Sequence, residues 1–395
     1  MANTPIEAYP QAPPIFLFTH EFSPVRGGIA TFCEEMAFAA TELGHSVEVW
    51  APPGDNKAEW PFWVHRTLRA ADQNTATLWR TGRVLAAEKK RWIEGILYLP
   101  EPGPITALAY ACRFSLRPPS RLFLTLHGSE ILRWAKHPWV ALLMKDFLPL
   151  ATRIGVPSGF TLELLRQNFP EAVERATITS GARRTFPRAP SGPARRASSR
   201  RRIVVLTVAR LHPRKGQEKM IEALLRLPPR LFARIEYRIA GSGNRPAYEK
   251  KLRNMAAAAP FPVSLLGGLS DPEREKQYRE ADIFAMTSIR DGNSVEGFGL
   301  VYLEAASHGL PVIAHATGGA GEAVRANETG FVVPPERGDL LTHALRLLIE
   351  NEPMRRQMGD AGRTHAKEYS WEETARNFFL RRDLSDPLIS KHLPL

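Results

Sequence analysis

Ser294-Val295-Glu296-Gly297-Phe298-Gly299-Leu300-Val301-Tyr302-Leu303-Glu304-Ala305-Ala306-Ser307-His308-Gly309-Leu310-Pro311-Val312-Ile313-Ala314 is the stretch on which the reading of the fold turns. Gly297 and Gly299 bracket Phe298 where a polar loop passes into an apolar segment, and that segment stops at Gly309 before Pro311. This is the punctuation of a loop entering a short helix. The first turn of a helix leaves backbone N–H groups unpaired and carries the positive end of the macrodipole, so the segment Gly297–Leu300 is expected to receive an anion. Glu304 lies about 9 Å further along the axis than Phe298 at ~1.5 Å rise per residue. It is therefore expected to meet a different ligand group than Glu296.

Working outward, Ile203–Val208 reads as a strand that leads into Ala209-Arg210-Leu211-His212-Pro213-Arg214-Lys215-Gly216-Gln217 and a helix through Leu225. Arg210 and Lys215 can converge on one diphosphate from a strand end and its loop, arginine as a bidentate fork and lysine as a point charge. Tyr237–Ala240 is another strand, ending in Gly241-Ser242-Gly243, but Pro246 stands where a dinucleotide fingerprint needs its third glycine. Val263–Gly268, Asp282–Met286, Val312–Ala314 and Gly330–Val333 continue the strand pattern, with a glycine-rich turn, Thr317–Glu322, after the third of them. Helices are expected at Asp271–Glu280, Asp339–Glu350, Pro353–Glu368 and Trp371–Arg382.

The first half repeats the alternation. Ile15–Thr19 is a buried strand, Gly27 and Gly28 open a helix that runs through Leu43 and closes at Gly44, and Ser46–Trp50 is the next strand. Phe62–Thr67 and Ile96–Leu99 read as strands and Thr75–Trp92 as one helix. Arg121–Leu126 ends in His127-Gly128-Ser129-Glu130, Arg153–Pro157 leads into a further helix, and Ala176–Thr179 is the last strand. Strand, loop, helix, strand in this order is the opening of a parallel α/β domain, whose ligands gather at the C-terminal ends of the strands.

Glu296 and Glu304, seven residues between them, resemble the paired-glutamate signature of retaining glycosyltransferases with the GT-B fold, closest to the family 4, or group 1, nucleotide-sugar enzymes. The resemblance covers most of the chain, most strongly Ile203–Pro334. It implies two Rossmann-like parallel-sheet domains facing each other across a cleft. It also implies that Glu296 meets the donor sugar, Glu304 the ribose, and the amides of Gly297, Phe298, Gly299 and Leu300 the diphosphate or sugar. By the same resemblance Arg210 and Lys215 stabilise the departing nucleoside diphosphate, His127 lies near the reacting carbon, Gly27 and Gly28 line the cleft, and the loop of Gly241 and Gly243 borders the nucleotide. The chain departs from the family at Ser180-Gly181-Ala182-Arg183-Arg184, where a proline or asparagine, glycine, aliphatic, aspartate turn is usual.

Length and composition set the frame. At 395 residues the chain exceeds what one core usually serves. The expected division is 1–186 with a returning segment 371–395, an Arg- and Pro-rich linker 187–202, and 203–370. Hydrophobic residues at 44% and charged residues at 24% exclude disordered and fibrous classes. Cys33 and Cys112, without a metal-ligand neighbour, are expected to be free thiols. The first residues lack a basic n-region, and Trp139–Ala151, interrupted by Lys145 and Asp146, is too short to span a bilayer of ~30 Å. A cytoplasmic protein, peripheral on the inner membrane face, is the expected location.

The formal charge is +12, of which +9 falls at or before Arg202. Seven of the eight tryptophans fall at or before Trp139, among basic residues such as Arg80, Arg83, Lys89 and Lys90. That mixture suits a membrane interface and equally suits half-buried tryptophans beside a solvated basic face. A glycoside hydrolase would use two carboxylates but no diphosphate clamp. A basic membrane- or nucleic-acid-binding protein without catalysis would leave the glycine loops and the glutamate pair without a role. An NAD-dependent oxidoreductase would need a full glycine fingerprint. The expected activity is retaining transfer of a hexose from a GDP- or UDP-sugar to a hydroxyl of a lipid-linked, glycan or small-molecule acceptor. No cofactor, no metal and no nucleic-acid partner are expected, because arginine and lysine can supply the charge that magnesium would.

Overall fold

A computed structural model describes residues 12–54, 60–68, 74–114, 116–185 and 202–380. The Arg- and Pro-rich linker falls, but for Arg202, outside the described residues, as does the returning segment beyond Leu380.

Two parallel sheets carry the chain. The first is built from β1 (Ile15–Phe18), β2 (Val47–Trp50), β3 (Trp63–His65), β4 (Ile96–Leu99), β5 (Leu122–Thr125), β6 (Arg153–Val156) and β7 (Ala176–Ile178), in the order β3-β2-β1-β4-β5-β6-β7. The second is built from β8 (Ile203–Val208), β9 (Ile235–Ala240), β10 (Val263–Gly267), β11 (Ile283–Met286), β12 (Val312–His315) and β13 (Gly330–Val333), in the order β10-β9-β8-β11-β12-β13. Each sheet reverses its winding beside its first strand, which is the doubly wound arrangement. The central strands are buried along their whole length and mainly apolar, as strands covered on both faces must be: β1, β4, β5, β11 and β12 are buried at every residue, Thr125 and His315 at the ends of β5 and β12 included. In the second sheet one core lies under Val205, Ile239 and Ile283 and another under Leu206, Phe284 and Val312. Alternate residues of a strand face opposite sides of the sheet, so one sheet serves both cores.

The expected elements are present among the described residues, with two departures: the helix expected at Trp371–Arg382 is α-helical over Trp371–Ala375 and π-helical over Arg376–Leu380, its last two residues lying outside the described ones, and another is broken. The single helix read at Thr75–Trp92 is two, Thr75–Ala87 and Lys89–Trp92, interrupted at Glu88. Trp92 is fully buried there and its indole N–H donates to the Leu85 carbonyl at 2.8 Å, which ties the second turn back onto the first. Pro102–Phe114 forms a further helix despite prolines at 102 and 104, both in its first turn, where a missing N–H costs nothing. Cys33 and Cys112 are free.

By packing, the described residues fall into two compact units. One runs through Thr125, takes in Lys145–Gly155 and resumes at Trp371; the other comprises Leu126–Met144 and Val156–Ser370. In the first unit Trp371 meets Phe32 edge to face at 5.4 Å, and Phe378 packs on Tyr98 and Phe123. The second unit holds the whole six-stranded sheet and also the segments that follow β5 and β6.

Candidate active site

The site is built on the C-terminal ends of β8, β11 and β12. β11 ends at Met286, and the loop Thr287–Gly299 runs from it to the helix Leu300–Ser307. Within that loop Glu296 is nearly buried, with 12% of its side chain exposed, and one of its oxygens does all the pairing. Oε2 accepts from Lys215 Nζ at 2.5 Å, from Ser288 Oγ at 3.1 Å and from Arg214 Nη1 at 3.2 Å. Arg214 Nη1 also donates to the Val295 carbonyl at 3.1 Å. Burial pushes the Glu296 carboxyl up, but Lys215 and Arg214 outweigh it and hold the group below its ordinary value. Burial, with Arg214 and Arg210 nearby, lowers the Lys215 ammonium against the pull of Glu296. Burial thus drives the lysine shift and opposes the glutamate shift, which the neighbouring cations carry.

Local sequence explains the placement. After β8 the chain makes a short 3-10 turn, Pro213–Lys215, capped by His212, whose Nδ1 accepts the Arg214 N–H at 3.1 Å. That bond requires the neutral ring, and burial together with Arg245 and Arg214 lowers the His212 pKa in the same sense. Gly216 then takes φ 71°, and a Cβ there would stand 2.0 Å from the Thr287 carbonyl oxygen. Only glycine lets the lysine loop lie so close to the end of β11.

Beside Glu296 a cavity of about 230 Å³ is lined by Arg210, His212, Arg214, Lys215, Asn244, Arg245 and Ser294. Arg210 is exposed to it, with its backbone carbonyl pinned by Gln217 Nε2 at 2.8 Å. Three arginines and a lysine around a small open space are suited to a ligand carrying two phosphates. Gly241 and Gly243 lie at the end of β9, with their backbones against the Ala209 and Leu211 carbonyls, so the double glycine lets this loop nest on the arginine loop.

The helix Leu300–Ser307 starts from Gly299 at φ 87°, and Phe298 beneath it is buried. The first turn thus follows directly on the loop that carries Glu296, with the Tyr302 N–H donating to the Gly299 carbonyl at 3.0 Å. Tyr302, fully buried, donates to the Met286 carbonyl at 2.9 Å and fixes this helix on β11. Glu304 sits on the far side of it, 9% exposed, where its Oε2 accepts from the buried Tyr278 hydroxyl at 2.8 Å and lies 3.9 Å from Arg274 Nε. The two glutamates thus have separate cationic and hydroxyl partners.

His127, just past β5, stands in the same unit as Glu296. Its backbone N–H donates to Glu130, and its carbonyl faces Gly297 so closely that a Cβ at 297 would lie 2.3 Å from the oxygen. The structure therefore brings His127, Arg210, Lys215, Glu296 and Gly297–Leu300 into one unit, with Glu304 on the same helix. Gly27 and Gly28 belong to the other unit, where they start the helix Gly28–Glu42. Among the described residues no group of three or more His, Cys, Asp or Glu side chains is placed to hold a metal ion.

Sequence reasoning passed over Arg214, Ser288 and Tyr278. Arg214 stands next to Lys215, and the tight turn capped by His212 is the signal that both side chains could reach one carboxylate. Nothing in the sequence ties Tyr278 to Glu304, because the pairing arises only when two helices are packed beside each other.

The family model described as "Glycosyl transferases group 1" matches residues 193–365, and "Glycosyltransferase Family 4" matches residues 26–180. A GDP-mannose-dependent monoacylated alpha-(1-6)-phosphatidylinositol monomannoside mannosyltransferase from Corynebacterium glutamicum is 29% identical over 397 residues, covering 90% of this chain and 93% of the relative. The GDP-mannose-dependent alpha-(1-6)-phosphatidylinositol monomannoside mannosyltransferase of Mycobacterium tuberculosis is 28% identical, covering 93% of this chain and 98% of its own length. Among solved structures, sucrose-phosphate synthase from Thermosynechococcus elongatus superposes with a TM-score of 0.75 at 19% identity, over 92% of this chain and 96% of the other. Anabaena HepE, solved with UDP and glucose, gives 0.71 at 20% identity over 92% and 98%. With two parallel-sheet domains, a glutamate on the loop and another on the helix that follows it, and family matches in both halves, the chain belongs to the group 1, family 4 glycosyltransferases of the GT-B fold.

Proposed function

We propose that the chain is a retaining, metal-independent hexosyltransferase that takes mannose from GDP-mannose and places it on a hydroxyl of a phosphatidylinositol-type glycolipid. The observation that carries the reading is the Glu296 carboxylate held by Lys215 and Arg214 at the edge of a cavity lined by four cations. The relatives named above support GDP-mannose and the lipid acceptor.

In this reading the diphosphate enters the cavity and is neutralised by Arg210, Arg214 and Lys215, so that no divalent cation is required. Glu296 meets the sugar, Glu304 the ribose, and His127 borders the reacting carbon. The bond from C1 to the β-phosphate oxygen breaks as the acceptor oxygen bonds C1 on the same face. The acceptor proton passes to the departing phosphate, so the products are the glycoside and the nucleoside diphosphate.

Two features of the first unit support a lipid surface as the place of action. Trp79 is 63% exposed and Phe114 83%, on the neighbouring helices Thr75–Ala87 and Pro102–Phe114, and Arg83 lies 4.9 Å over the Trp79 ring. Aromatic residues with basic neighbours sit well at an anionic bilayer interface. The other tryptophans divide: Trp50, Trp92 and Trp134 are core residues. No helix among the described residues is long and apolar enough to cross a membrane.

The test is transfer from GDP-mannose and, separately, UDP-glucose to vesicles containing phosphatidylinositol, in EDTA, with the product linkage read by NMR. The α-linked donor is expected to give an α-linked product with GDP-mannose preferred. A β-linked product, or activity restored only by magnesium, contradicts the reading.

A further inference from the structure

The loop that carries Glu296 is gripped from outside its own sheet at two points, both within the second unit. Ser129 Oγ accepts the Val295 N–H at 3.1 Å. Ser158 Oγ donates to the Gly297 carbonyl at 2.6 Å, from a serine that also caps the helix Gly159–Asn168 through the Thr161 N–H at 3.2 Å. Glu322, at the end of the glycine turn after β12, in turn holds the segment that follows Ser158. Its Oε2 accepts the Gly159 N–H at 2.8 Å and its Oε1 the Phe160 N–H at 2.9 Å, so one carboxylate takes both of the first two amides of that helix.

The same glycine turn lies against the Glu296 loop from the other side. The Gly319 N–H donates to the Glu296 carbonyl at 2.9 Å, and Cβ atoms at Gly318 and Gly319 would stand 1.9 and 2.0 Å from the Glu296 and Gly297 oxygens. Residues 296–297 are thus sandwiched between the turn of Glu322 and the Ser158 loop, and Glu322 is the side chain that joins the two outer layers. A carboxylate on two helix N-terminal amides combines charge-assisted hydrogen bonds with a favourable dipole.

We infer that Glu322 is a positioning residue for transfer: by clasping Gly159 and Phe160 it clamps the Glu296–Gly297 backbone and, through the Gly297 contact, sets the distance between Glu296 and His127. It touches none of the cavity-lining residues, so its effect falls on the alignment of reacting groups and not on retention of the diphosphate. This rests on the function proposed above for Glu296 and His127, while the clasp itself is a statement about the fold that can be tested without turnover.

Two measurements test it on the full chain. In Glu322→Ala, amide hydrogen exchange is expected to speed up both at residues 159–160 and in the loop 294–299, with the unfolding midpoint unchanged. Faster exchange at 159–160 alone, or at neither segment, overturns the clamp. In turnover of GDP-mannose on phosphatidylinositol vesicles, Glu322→Ala is expected to lose about tenfold or more in kcat, since small misplacements of reacting groups are costly, with GDP affinity unchanged by calorimetry. Glu322→Gln, which keeps one acceptor oxygen, should recover part of the loss. An unchanged kcat, or a loss of GDP affinity equal to the loss of kcat, overturns the inference. If the unmodified chain neither binds GDP nor turns over, the proposed function fails and the exchange result alone decides the clamp.

Discussion

Two glycine pairs follow strands in the two sheets, and they are glycine for different reasons. Gly318 and Gly319, after β12, are required by the protein's own backbone: Gly318 has φ 60°, and any side chain at either position would collide with the carbonyls of Glu296 and Gly297. Gly27 and Gly28, after β1, meet no such obstacle. A Cβ at Gly27 would find only Glu21 Oε2 at 3.6 Å, and one at Gly28 would find nothing within 4 Å. The comparison separates a pair that the packing of the Glu296 loop requires from a pair that no contact among the described residues requires to be glycine.

The largest effects are expected at the group the first pair supports. Glu296→Gln and Lys215→Ala should each reduce transfer by roughly a thousandfold or more, as loss of a group acting on developing charge does, with thermal unfolding unchanged. Full activity in either variant removes the site assignment. Next comes the comparison itself. Gly318→Ala should cost more than about 3 kcal/mol in chemical denaturation, because it combines a left-handed backbone with a steric overlap. Gly28→Ala should change stability by less than about 1 kcal/mol, and in either direction, while raising the KM for the donor. If both variants are equally destabilised, the distinction is lost.

A smaller effect is expected at Tyr278→Phe, which removes the hydroxyl from the Glu304 carboxylate. GDP affinity should fall about tenfold or more, in line with ~1.5–3 kcal/mol for a hydrogen bond to a charged group, while the unfolding midpoint stays near that of the parent. No change in affinity would mean that Glu304 is held without it.

Acid pH reaches both units through buried histidines. Burial holds His20 in the first unit and His315 in the second near a pKa of about 4, against 6.5 for the free side chain. Glu101 Oε1 lies 3.3 Å from His20 Nδ1 and favours the charged ring, but it is already engaged by the His20 N–H, and burial prevails. The unfolded chain takes up protons below pH 6.5 that the folded chain refuses until about pH 4. Stability is therefore full above 6.5 and is lost as pH falls through that window, with a slope approaching ~1.4 kcal/mol per pH unit for each histidine. His315→Asn should flatten the slope; an unchanged slope would show that the imidazole charges in the folded state.

Much of this was legible before the structure. Short, mainly apolar runs such as Ile15–Phe18 and Ile203–Val208 announced both sheets, and the helix expected at Asp271–Glu280 is the one observed, its start fixed by a capping box at Ser270 and Glu273. That Arg210 and Lys215 reach one cavity could be read from their spacing in the single loop after β8, whereas the meeting of Lys215 with Glu296, on the loop after β11, could not. Tyr278 and the Glu322 clasp were not legible either, since each joins segments far apart in sequence: 322 meets 159 only after both chain segments have packed. The break at Glu88 was hidden because the apolar spacing runs on through it, and what ends the helix is the tertiary burial of Trp92.

The central claim is that cationic side chains alone hold the diphosphate, and calorimetric titration of GDP and UDP into the full chain in EDTA, with and without Arg210→Ala, tests it most directly. The account predicts that GDP binds without metal and that affinity falls at least about tenfold in the variant, as expected for a charge-assisted contact worth ~1.5–3 kcal/mol. Absence of binding by either nucleotide, binding only with magnesium, or binding indifferent to Arg210 would contradict it.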